Sequence, residues 1–154
     1  MQKKLLIFLM FFFLLTGCEN KEEILKNKYI DIKNHLLDNK KYMNSDELPL
    51  DIMFDVDRID EENVKLKIIF SNPSENMREI RAMAIHNYYE EELFPTIGVF
   101  DEKKELLLDS DNELVLKSNI KTTKNVSKLD LQFNVWFEYK NDSGELKEIF
   151  YNTT

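Results

Sequence analysis

The chain has 154 residues, a formal net charge of −8, a single cysteine, three glycines and three prolines. This length suits one domain with its own hydrophobic core, and a lone cysteine excludes an internal disulfide bond. The excess of acidic residues argues against nucleic acid as a partner, because phosphate binding requires a basic surface.

The N-terminal segment has the pattern of an export signal. Lys3 and Lys4 precede an unbroken run of eleven apolar residues, 5–15. The run is shorter than the roughly 20 residues that a helix needs to span a bilayer, and it has the length of a signal-peptide core. Besides the interpretation developed next, these residues fit an ordinary secretory signal with a chance cysteine, or an uncleaved anchor.

The cysteine follows this run directly. Leu15, Thr16, Gly17 and Cys18 resemble the lipobox of bacterial lipoproteins, in which a leucine and two small residues precede a cysteine. The resemblance implies cleavage after Gly17 and a thioether between Cys18 and diacylglycerol. It further implies an extracytoplasmic protein on the cell membrane or outer membrane, since two acyl chains suffice for stable anchoring. Removing residues 1–17 takes away two lysines and no acids, so the net charge becomes −10.

Residues 18–47 are predicted to hold the lipidated cysteine and an amphipathic helix or spacer. Leu25, Tyr29, Ile32 and Leu36 recur at intervals of three or four residues, which predicts a helix over residues 21–41. The apolar side of this helix must be covered from water by another surface. The cover is either its own domain, the membrane surface or a partner helix.

Residues 48–154 are predicted to form one mostly β domain, because the apolar period changes from about four residues to two. The predicted strands are residues 50–56, 64–70, 80–89, 93–100, 106–108, 114–120, 129–139 and 145–151. Seven or eight short strands predict an antiparallel β-sandwich. With the turn Asn-Pro-Ser-Glu-Asn after the second strand, the layout resembles the small Ig-like domains of bacterial lipoproteins.

The last two strands carry enough charge to predict their register. With residues 141–144 as the loop, Lys140 faces Glu145 and Glu138 faces Lys147. Both are opposite-charge pairs across neighbouring strands, which stabilise a hairpin.

The same register predicts an apolar patch of Trp136, Ile149 and Tyr151 on the solvent face of the sheet. We expect either the helix of residues 21–41 to cover this patch or a partner protein to bind there. Tryptophan and tyrosine are over-represented at the centres of protein interfaces.

Residues suited to catalysis or metal binding are sparse. His35 and His86 are the only histidines, and neither has the spacing of a metal ligand. Nucleophile motifs and glycine-rich phosphate loops are absent from the sequence. The acidic clusters of residues 55–62 and 109–113 lack the order and central glycine of a calcium-binding EF-hand. We therefore expect no cofactor, no metal and no enzymatic activity.

These features predict a membrane-anchored, non-catalytic lipoprotein whose Ig-like domain docks onto another envelope protein. Its role would be that of an accessory subunit, an inhibitor or an immunity factor. One alternative is a lipoprotein that binds a small ligand or an ion. A further alternative is a hydrolase with a site centred on His86.

Overall fold

The computed structural model describes residues 21–39, 41–88, 94–100 and 106–153. A helix, α1 (Lys21–Asp38), precedes eight strands. In chain order the strands are β1 (Asp51–Arg58), β2 (Asn63–Ser71), β3 (Met77–His86), β4 (Thr96–Ile97), β5 (Leu107–Leu108), β6 (Leu114–Lys121), β7 (Phe133–Lys140) and β8 (Leu146–Asn152). The mostly β class with one preceding helix is thus confirmed.

The strands form two antiparallel sheets that pack face to face. The first sheet has the order β1-β2-β6, and the second has the order β4-β3-β7-β8 with β5 also paired to β3. Alternate residues of β2 are buried between the sheets, as the two-residue period predicted. The ring centroids of Phe70 and Phe137 are 4.8 Å apart, and those of Phe54 and Phe133 are also 4.8 Å apart. The predicted β-sandwich therefore has a shared aromatic core.

Strand β3 begins three residues before the predicted 80–89 because it contains a bulge. Arg78 pairs with Lys140 and Arg81 pairs with Glu138, so two residues of β3 oppose one of β7. Glu79 lies in this bulge with a φ of 50°. The bulge keeps Met77 and Ile80 both buried in the core, although their spacing does not fit a two-residue period.

Two other predicted strands are shorter than expected. The 93–100 segment pairs only over β4, and the ordered strand in 129–139 starts at Phe133 after the 3-10 helix Val126–Lys128. Gly98 follows β4 with a φ of 67°, and a Cβ atom there would lie 2.2 Å from the Ile80 carbonyl oxygen. This close approach requires glycine and bends the chain out of the sheet.

The predicted hairpin register is wrong by one residue. Lys140 lies opposite Leu146, not opposite Glu145. The cause is the loop: Asn141 N–H donates to the Glu145 carbonyl over 3.0 Å, and Gly144 N–H donates to the Asn141 carbonyl over 2.9 Å. Gly144 has a φ of 80°, so three residues form a turn with a left-handed glycine. A loop longer or shorter by one residue reverses the faces of a strand.

The shift changes which residues of β8 face the core. Ile149 lies opposite Phe137 and Tyr151 lies opposite Val135, and all four side chains belong to the core between the sheets. Trp136 points to the other face of the second sheet. The predicted patch of Trp136, Ile149 and Tyr151 is therefore divided between two faces.

The two registers make opposite predictions for two β8 residues. Ile149 is 2% exposed and Leu146 is 54% exposed. Ile149→Ala should lower the free energy of unfolding by about 2–4 kcal/mol, because it leaves a cavity in the core. Leu146→Ala, the matched control, should change it by no more than about 0.5 kcal/mol. Urea denaturation measures both, and a larger loss for Leu146→Ala would contradict the observed register.

A buried tyrosine makes the fold sensitive to alkaline pH. Tyr139 is 3% exposed, and its hydroxyl donates to Glu75 Oε1 over 3.1 Å. Burial, followed by the hydrogen bond to Glu75 and the charges of Glu75 and Glu145, raises the pKa of Tyr139 to about 12. Tyrosine in an unfolded chain has a pKa of about 10. The folded state therefore holds this proton more tightly than the unfolded state.

The stability that this difference provides is fully present below about pH 10 and is lost as the pH rises towards about 12. We expect the midpoint of urea unfolding to fall across this range. In Tyr139→Phe the fall should be smaller, because the variant has no proton to lose there. An equal fall in Tyr139→Phe would show that other groups cause the alkaline sensitivity.

Candidate functional site

Helix α1 lies on the outer face of the second sheet. Its residues Tyr29, Ile32 and Leu36 are buried. They form a second apolar cluster with four residues of the sheet and its loops, namely Met83, Ile85, Val99 and Trp136. Leu36 is fully buried and Trp136 is 2% exposed. The predicted apolar side of α1 is therefore packed against its own domain, and the cover over Trp136 is intramolecular.

Hydrogen bonds fix α1 at both ends of this interface. Glu148 Oε1 accepts from Trp136 Nε1 over 3.1 Å and lies 3.1 Å from His35 Nε2. The His35 ring meets Phe150 edge-on, with 5.2 Å between ring centroids. Towards the start of the helix, the Tyr29 hydroxyl accepts the Phe94 N–H over 2.9 Å. His35 thus positions the helix on the sheet.

An ion pair lies in the sheet beside Trp136. Glu138 is 5% exposed, and its Oε1 accepts from Arg81 Nε over 2.6 Å. The Arg81 guanidinium also lies 5.7 Å from the centroid of the Trp136 ring. A buried carboxylate requires such a partner, because its desolvation is costly. The cation and the ring add an attraction of their own.

Sequence reasoning missed this ion pair because it depends on the pairing of β3 with β7. The predicted pairing placed Glu138 opposite Lys147, whereas the structure places it opposite Glu148. Arg81 reaches Glu138 from β3 on the other side, and strand-to-strand pairing between β3 and β7 has no local sequence signal. The carboxylates of Glu138 and Glu148, each next to apolar residues of β7 and β8, were the only local clue.

His86, on which the hydrolase alternative is centred, packs against Phe94 at the border of this interface. His86 Nδ1 accepts from the Tyr88 N–H over 3.2 Å, and its ring packs edge-on against Phe94 and Phe133. The lipobox residues Leu15, Thr16, Gly17 and Cys18 are outside the residues that the structure describes.

The acidic clusters form local hydrogen bonds. Lys67 Nζ lies 2.5 Å from Asp55 Oδ2 and 3.2 Å from Asp57 Oδ2, and these two hydrogen bonds raise the pKa of Lys67. Asp60 accepts from the Asn63 side chain and from two backbone N–H groups, which lowers its pKa. Asp109 accepts the Asp111 N–H over 2.9 Å. Within the described ranges, no group of three or more His, Cys, Asp or Glu side chains is placed to hold a metal ion.

Comparison with known proteins adds no family to this description. No protein-family model matches the chain, and no curated protein matches it in sequence. Among the described residues, no helix combines the length and the apolar character that crossing a membrane requires.

The docking of α1 can be tested with two neighbouring leucines. Leu36 is fully buried against the sheet, and Leu37 is 53% exposed. Leu36→Ala should destabilise the docked helix by about 2–4 kcal/mol. Trp136 is the only tryptophan, so its fluorescence emission should shift to longer wavelength as water reaches the ring. Leu37→Ala, the control, should leave the emission unchanged, and an unshifted spectrum in both variants would contradict the packing described.

Proposed function

We propose that this protein is a bacterial lipoprotein, anchored through Cys18, whose β-sandwich is a non-catalytic docking module for another protein of the cell envelope. The observation that supports this most directly is the short distance along the chain between Cys18 and a docked helix. Two residues, Glu19 and Asn20, separate Cys18 from the start of α1.

This connection would hold the domain at the membrane surface. Three residue steps reach at most about 10 Å. Because α1 is packed on the second sheet, the helix does not act as a free spacer. An anchored domain would therefore meet membrane-bound partners at high local concentration, so that a weak interface suffices. The net charge of −10 expected for residues 18–154 favours a partner with a basic face.

The strand order supports an Ig-like assignment within the sandwich class. Immunoglobulin-like sandwiches place strands A, B and E in one sheet and C, F and G in the other. Here β1, β2 and β6 occupy the first set of positions, and β3, β7 and β8 occupy the second. Domains of this architecture commonly serve in recognition, although the fold alone assigns no partner.

A second candidate function is the binding of a small ligand. A groove of about 370 Å³ lies between β4 and the start of β6, which is within the size range of ligand pockets. It is lined mainly by apolar side chains, including Ile97, Phe100, Leu106, Leu114 and Val115. The described part of the lining favours an apolar ligand over an ion, since Glu113 is the only charged residue among the lining residues that the structure describes.

The anchor is tested by replacing Cys18. Cys18→Ala should abolish the diacylglyceryl modification and move the protein from the membrane fraction to the soluble fraction, because the thiol is the attachment atom. Mass spectrometry of the N-terminal peptide and fractionation measure the two effects. Thr16→Ala keeps a small residue before the cleavage site and should behave as the unaltered protein. An unmodified Cys18 in the unaltered protein would contradict the anchor.

The docking role is tested with the same pair of variants. Chemical cross-linking in the native membrane, followed by mass spectrometry, should recover one envelope protein in near-stoichiometric amount. Cys18→Ala at equal abundance should lose most of this product, while Thr16→Ala retains it. If the anchored protein yields no specific product, the stable-partner role fails and the ligand-binding role is the one to pursue.

A further inference from the structure

One side of α1 is not used in docking and has an unusual composition for this acidic protein. Lys26, Ile30, Lys33 and Leu37 recur at intervals of four, three and four residues, so they lie along one side of the helix. Ile30 is 40% exposed and Leu37 is 53% exposed. We call these four residues the α1 stripe.

Aromatic rings of the neighbouring loop flank the α1 stripe. Lys33 Nζ lies 4.8 Å from the centroid of the Phe94 ring. Phe100, which is 40% exposed, stacks on Tyr29 with 5.9 Å between ring centroids. The surface therefore continues from the helix onto the domain. It combines exposed aliphatic and aromatic side chains with two lysines.

The remaining sides of α1 have different chemistry. Tyr29, Ile32 and Leu36 face the sheet, so docking does not require the α1 stripe. The acidic residues Asp31 and Asp38 are both exposed, and their seven-residue spacing places them on another side of the helix together with Ile24, which is 46% exposed. The four residues of the stripe include no acidic side chain, although Glu22 lies one turn before Lys26 on the same side of the helix.

We propose that the α1 stripe lies against the headgroup region of a membrane that contains anionic lipids. This inference rests on the lipid anchor proposed above, which would place the start of α1 beside the bilayer. Helices that lie in the interface carry lysines next to exposed aliphatic and aromatic residues. Lysines near an anionic surface are attracted to it even when the whole protein is acidic. A second copy of the chain fits less well, because a symmetric pair would bring four lysines into one interface and the stripe holds no acidic residue to pair with them.

The test uses the full chain, produced in a bacterial host that processes lipoproteins and reconstituted into vesicles of phosphatidylcholine and phosphatidylglycerol. Ile30→Cys and Leu37→Cys each introduce one thiol for a nitroxide label. The matched controls are Asn34→Cys on another side of α1 and Met53→Cys, an exposed apolar position on the first sheet that is 48% exposed. Paramagnetic resonance then compares the access of oxygen, which concentrates in lipid, with the access of a water-soluble nickel complex.

We expect labels at positions 30 and 37 to favour oxygen and labels at 34 and 53 to favour nickel. Lys26→Gln combined with Lys33→Gln should reduce the oxygen preference of a label at 37 in these vesicles. In vesicles of phosphatidylcholine alone, labelled proteins with and without the two lysine substitutions should show the same oxygen preference. A nickel preference at 30 and 37 would overturn the proposal. Spin–spin broadening at 30 and 37 would also overturn it, because it would show that a second copy occupies the stripe.

The anchor and the stripe can fail separately in this experiment. Cys18 is the only native cysteine, so a lipidated chain takes up one label per introduced thiol. Two labels per chain would show that Cys18 is free and that the proposed anchor is absent. One label together with a water-like pattern at 30 and 37 would retain the anchor and reject the stripe.

Discussion

Strand β7 is buried on both of its faces, and the arrangement of the domain depends on this constraint. Phe137 and Tyr139 lie in the core between the sheets, while Trp136 lies in the cluster under α1. A two-layer sandwich can cover only one face of a strand. The second sheet therefore needs a third layer, and α1 supplies it. The helix is an integral part of the domain, because its removal would expose an apolar sheet face to water.

One carboxylate on the outer face, that of Glu148, makes the position of α1 specific. An apolar helix on an apolar sheet can slide, since hydrophobic contact has little directionality. Glu148 accepts from Trp136 in the sheet and lies within hydrogen-bond distance of His35 in the helix, so one carboxylate links the two layers. Glu138 is paired with Arg81 inside the sheet and does not depend on the helix. A displaced helix would lose the contact between His35 and Glu148.

A docked α1 also limits how far the domain can move away from the proposed anchor. If Cys18 carries lipid, the membrane is connected to a helix that is already packed on the sandwich, and the domain cannot extend away from the bilayer without undocking it. The helix then presents three surfaces of distinct chemistry: an apolar side to the sheet, the α1 stripe, and an acidic side with Asp31 and Asp38. The first is a property of the structure, and the orientation of the α1 stripe towards the membrane is part of the proposal.

Local pattern was sufficient for much of the fold. The four-residue period of Tyr29, Ile32 and Leu36 predicted a helix and its buried side, and the alternation in β2 predicted a strand with one side in the core. Such patterns are readable because each element must bury one face. The lipobox resemblance is likewise a property of the chain itself, and it carries the proposed anchor without any contribution from the fold.

Only the tertiary structure decided which faces meet. Gly144 and the hydrogen bonds of Asn141 set the register of the last hairpin, and that one-residue difference moves Ile149 into the core, while Trp136 stays on the outer face under the helix. The bulge at Glu79 and the approach of Gly98 to Ile80 depend on neighbouring strands that are distant in sequence. Periodicity indicates that a residue is buried, but it does not indicate which residues it packs against. That choice depends on loop geometry and on long-range pairing, which no local window of sequence contains.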